Sequence, residues 1–157
     1  PVLAWYFAAY HTSIDSFAKR GQRGFLFTVG DEQPTPRLRA SDVERVLGYR
    51  PGRDRALDAP ALLQAASAQW DIYHVVVAEG SHVRRHPDRV RDQWSALLGQ
   101  RMLWLPDHQH LAEVIVSALQ VATGADYDTV AASWGPDASA AVAHSINRGI
   151  ALGGLRA

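Results

Sequence analysis

At 157 residues, 47% hydrophobic and 20% charged, this chain is long enough for one packed core and too apolar to be a disordered segment. Its 16 Lys and Arg balance its 16 Asp and Glu, so no net field draws it to nucleic acid or to an anionic membrane. Cysteine is absent, which excludes disulfide staples and zinc–thiolate sites and favours a cytoplasmic location.

The first element predicted is a helix over residues 2–19, with Leu3, Tyr6, Phe7, Tyr10, Ile14 and Phe17 on one face and Gly21 and Gly24 as its stop. Phe25 to Val29 is a charge-free run of the kind buried on both faces of a parallel sheet, and Gly30-Asp31-Glu32-Gln33-Pro34 ends it. Ser41 to Glu44 has capping-box spacing, which predicts a short helix running to Gly48. Residues 49–58 read as a loop, after which Asp58 and Pro60 open a helix with Leu62, Leu63 and Ala66 inward. Ile72 to Ala78 is the clearest strand, ended by Glu79-Gly80-Ser81. Pro87 then starts a helix through Val90, Trp94, Leu97 and Leu98 to Gly99. Met102 to Leu105 reads as a third strand. Asp107 caps a helix through Leu111, Val114, Ile115, Leu119 and Ala122. Beyond Gly124, two short helices broken at Gly135-Pro136 fit Val130 with Trp134 and Val142 with Ile146, and Gly153-Gly154 ends the order.

Strands alternating with helices predict an α/β fold: a Rossmann-like doubly wound, mainly parallel sheet with helices on both faces. Three apolar strands are fewer than such a sheet normally holds, and residues 25–29 carry no lysine or proline to discourage pairing. The first strands of the sheet are therefore expected outside these residues, with 1–124 as the second half of a domain and 125–157 as a helical tail. A strand from an upstream segment, a second chain or a second copy is expected against residues 25–29.

In open parallel sheets ligands bind at the carboxyl ends of the strands. Those ends carry Asp31 and Glu32, then Glu79 with Ser81 and His82, then Asp107. A hard cation such as Mg²⁺ needs only one or two carboxylates besides its waters, and Asp31 is the best placed. Asp31 and Glu32 also read as ordinary turn acids, and Glu79, Ser81 and His82 as a polar strand-to-helix loop. A hydrolase reading of that loop lacks a Gly-x-Ser-x-Gly elbow. His74 reads as a core histidine within a strand. His108 and His110 are two apart, the wrong spacing for two ligands on one helix face, whereas His11 and Asp15 are four apart and within hydrogen-bonding reach.

The run Tyr6-Phe7-Ala8-Ala9-Tyr10-His11-Thr12-Ser13-Ile14-Asp15, followed by Arg20-Gly21 and by Gly24-Phe25-Leu26-Phe27-Thr28-Val29-Gly30-Asp31-Glu32, resembles the middle of a bacterial von Willebrand factor A-like domain. The likeness continues more weakly to about residue 120. It implies the carboxy-terminal half of a six-stranded domain used for protein interaction rather than catalysis, with an integrin-type Mg²⁺ site at the strand ends. By position Asp31 takes the place of that site's fourth-strand Asp, although Gly-Asp-Glu stands here where Asp-Gly-Glu is typical. Glu32, Glu79 and Ser81 would face the partner, and the Asp-x-Ser-x-Ser loop of such sites does not occur in the chain. A Rossmann-like metal-dependent hydrolase and a metal-free structural or assembly protein remain the alternatives.

Overall fold

A computed structural model describes residues 1–52 and 57–146, so part of the predicted loop at 49–58 and the Gly153-Gly154 stop lie outside the described residues. It is a mixed α/β structure built on one parallel sheet, with β1 (Gly24–Gly30), β2 (Trp70–Val77) and β3 (Met102–Leu105) in the order β1-β2-β3. The chain divides into two compact units, one made of Pro1–Thr28 with Gln33–Ile72 and the other of Val29–Glu32 with Tyr73–Ala157. β1 and β2 each begin in the first unit and end in the second.

In the first unit the expected single helix is two, α1 (Val2–His11) and α2 (Asp15–Arg20). Thr12 and Ile14 between them are extended, and the Thr12 hydroxyl donates to the Ala8 carbonyl at 2.6 Å, closing the last turn of α1. Because α1 is apolar nearly all round, its sequence does not single out one inward face. Val2, Trp5, Tyr6 and Ala8 are the residues buried, while Phe7, expected inward, is 45% exposed. α1 packs on α4 (Ala59–Ala66), which buries Ala59, Leu62 and Ala66 and is capped by the Asp58 carboxylate accepting from Ala61 N–H at 3.0 Å.

His11 and Asp15 do not meet across the break. His11 Nε2 pairs with the Tyr49 hydroxyl at 2.5 Å, which in turn pairs with Tyr6 at 2.6 Å, whereas Asp15 accepts from Lys19 Nζ at 2.6 Å. The capping box at Ser41 does not form either. α3 (Ala40–Leu47) starts ahead of Ser41, and the Asp42 carboxylate instead takes Arg39 Nε at 2.9 Å and Arg45 Nη2 at 3.0 Å. Gly24 lets β1 start close to Trp70, since a Cβ there would lie 2.8 Å from the indole. Arg23 pairs with Asp71 at 3.1 Å, so β2 begins two residues ahead of the predicted Ile72.

In the second unit β2 runs parallel to β3 with His74 opposite Met102 and Val77 opposite Leu105. His74 is fully buried and stacks on Trp94 of α6 (Pro87–Leu98), with ring centroids 3.7 Å apart, as a strand histidine in a core should. A short helix not foreseen in the sequence, α5 (Ser81–Arg85), comes before α6. α7 (Leu111–Ala122) buries Val114, Ser117, Ala118 and Val121. α8 (Tyr127–Ala132) and α9 (Pro136–Ser145) follow, separated at Gly135-Pro136 as expected. The Leu105 carbonyl accepts from Ala78 N–H at 2.8 Å, so the neighbouring Trp104 carbonyl points off the sheet, where the Ser145 hydroxyl donates to it at 2.9 Å. That bond covers part of the β3 edge with α9. Among the described residues no helix is long and apolar enough to cross a membrane.

Candidate functional site

The register of β2 against β3 determines what meets at their carboxyl ends. Val77 faces Leu105, so Glu79 and Asp107, each two residues further on, hold equivalent positions beyond adjacent strands. Together with His108 they bring one ligand atom each to within 4.8 Å of one another. One Glu79 oxygen, Oε2, accepts from both the backbone N–H of His108 at 2.8 Å and its ring Nδ1 at 2.7 Å. Asp107 lies 3.9 Å from that same Nδ1. Its carboxylate accepts from Gln109 N–H at 2.9 Å, so it caps the single 3-10 turn His108–His110 and not, as predicted, α7, whose N-cap is His110.

The backbone hydrogen bond from His108, with the ring bond second, lowers the Glu79 pKa from its ordinary 4.5. The Glu79 hydrogen bond raises that of His108 above its ordinary 6.5. All three side chains are reachable from solvent, the His108 ring being 66% exposed.

Asp31 stands apart from this cluster. It directly follows β1, and its Oδ2 accepts from the backbone N–H of His82 at 3.1 Å. Its side chain lies over Gly80, where a Cβ would come within 2.1 Å of the Asp31 Cβ. The Glu32 carbonyl accepts from the Trp94 indole at 2.8 Å, while the Ser81 carbonyl accepts from Arg85 Nε at 3.0 Å. Of the acids at the predicted strand ends, Glu79 and Asp107 belong to the three-residue cluster, and Asp31 and Glu32 do not. From the sequence Asp107 reads more readily as a cap, and His108 as a residue of unsuitable spacing. The overlooked signal was an acid at the same distance beyond each of two parallel strands.

Chemically, two carboxylates and an imidazole form a mixed oxygen and nitrogen donor set. Mg²⁺ prefers oxygen and keeps its waters, so this set suits Zn²⁺ or Mn²⁺ better. The Mg²⁺ site implied by the resemblance has a different composition. This chain offers it the Asp31 carboxylate but not the Asp-x-Ser-x-Ser hydroxyls, so its residues alone do not make up that site.

Comparison with family models, with curated proteins and with solved structures finds no match to this chain.

Proposed function

We propose that this chain is a Rossmann-like, von Willebrand factor A-like binding module that engages a protein partner at the carboxyl ends of its strands through a divalent cation. The observation that supports this reading best is the convergence of Glu79, Asp107 and His108 beyond β2 and β3. Such a set leaves coordination positions open on its solvent side, where a partner's carboxylate could complete the shell. Asp31, fixed by His82 N–H and Gly80, supplies one further carboxylate at the same end of the sheet for Mg²⁺, if hydroxyl donors come from outside these residues. A metal-dependent hydrolase would use the same cluster to activate a bound water, and an assembly protein would keep the fold without a metal.

Isothermal titration of the chain with Zn²⁺, Mn²⁺ and Mg²⁺ tests the reading. The expected result is one saturable site, weakened about tenfold or more by Glu79→Gln and by Asp107→Asn. The further Asp31→Ala variant should leave Zn²⁺ and Mn²⁺ binding unchanged. Absence of saturable binding by all three ions would overturn the cation bridge and favour the metal-free assembly protein.

A further inference from the structure

Away from the carboxylate cluster, the second unit holds a cavity of about 440 Å³ among α6, β3, α8 and the end of α9. Its size is within the range of small-molecule sites. One side carries Arg91, whose guanidinium carbon sits 4.1 Å from the centroid of the Trp104 ring. Among the described residues Arg91 has no carboxylate partner, and no acidic residue lines the cavity. A guanidinium over an indole is held by cation–π attraction, which spends none of its N–H donors. The other walls include Met102, Tyr127, His144 and Ile146.

We infer that this cavity binds a small aromatic carboxylate. A guanidinium that sits over an indole and pairs with no carboxylate among the described residues matches the two oxygens of a carboxylate in a bidentate pair. Among the described lining residues the pocket has one arginine and no acid, which matches a monoanion; a phosphate dianion would call for more than one such cation. The indole, phenol and thioether around it offer aromatic and polarisable contacts to the body of such a ligand. β3 is anchored at this place because the buried Ser145 hydroxyl holds the Trp104 carbonyl at 2.9 Å, so the platform beneath Arg91 is built before any ligand arrives. The site uses none of the residues of the proposed cation bridge, and it stands or falls separately from it.

The test is calorimetric titration of the whole chain with 1-naphthoate, and in parallel with the neutral 1-naphthylmethanol and a short acidic peptide. Naphthoate should bind one to one, about tenfold more tightly than the neutral alcohol. Arg91→Gln should remove that preference for the anion with the thermal unfolding transition unchanged, and Arg91→Lys should restore part of it. Equal affinity for acid and alcohol, naphthoate binding untouched by Arg91→Gln, or no saturation at concentrations on the order of millimolar would each overturn the inference. Tighter binding of the acidic peptide than of naphthoate would also overturn it, by assigning the cavity to a protein segment.

Discussion

At the scale of single residues, Asp31 and Gly80 depend on each other. A methyl group at Gly80 would sit 2.1 Å from the Asp31 Cβ and 2.4 Å from its Oδ2, and the Cβ cannot swing away as the end of a flexible side chain could. Gly80→Ala should therefore destabilise the protein by about 1–3 kcal/mol in urea unfolding. Most of that loss should be recovered in an Asp31→Gly background, where the obstructing atoms are gone. A Gly80→Ala cost that stays the same in both backgrounds would show that the close approach is not its cause.

The Glu79–His108 pair has its own signature in pH. The raised His108 pKa means its contribution to stability is complete below about 6.5 and is lost as pH rises through the higher folded value. The lowered Glu79 pKa means its contribution is complete above about 4.5 and is lost as pH falls through the lower folded value. The pair is therefore at full strength between those two ordinary values. A cation at Nδ1 requires the opposite state of His108, the neutral ring, so cation affinity should rise with pH through the raised His108 value. Calorimetry over a pH series that spans the His108 titration reads this directly, and an affinity that does not rise across it excludes the imidazole as a ligand.

At the scale of elements, what the sequence disclosed depended on whether a signal was local. The three strands were legible because an uncharged apolar run between turn residues has few other uses. β2 was read short only because Asp71, paired with Arg23, interrupts that pattern. The cap at Asp58 was legible too, and Asp58→Ala should cost about 1 kcal/mol in thermal or urea unfolding, the loss of one bond to Ala61 N–H. The break after α1 was not legible. Nothing apolar marks it, and it rests on two extended residues and one hydroxyl bond to the Ala8 carbonyl. The face of α1 was misread for a related reason, since its partner α4 chooses among many apolar residues. The site was half legible: each acid after a strand could be found singly. Which two meet is decided by the register of β2 on β3, a pairing between residues far apart in the chain.

At the scale of the whole molecule, the sheet order makes β1 its outer strand, with no further strand beyond it among the described residues. The two outer strands are treated differently. β3 is short and has Ser145 of α9 bonded to its outward Trp104 carbonyl. β1 is seven residues long, carries no charge and no proline, and leaves Val29 43% exposed. A long neutral strand at a sheet margin is a template for another strand, and parallel sheets persist when their interior strands have neighbours on both sides. The 157-residue chain in isolation should therefore self-associate in sedimentation experiments, and added protein should shift the distribution further. Val29→Lys places a charge on that strand at a position already open to water, so it should move the chain toward monomer without lowering its unfolding midpoint. A strand supplied from outside these residues would compete with self-association and raise the midpoint by binding the folded state alone. A chain that is monomeric at every concentration and unfolds in one sharp transition would show that β1 needs no neighbour, and the expectation of further strands would then fail.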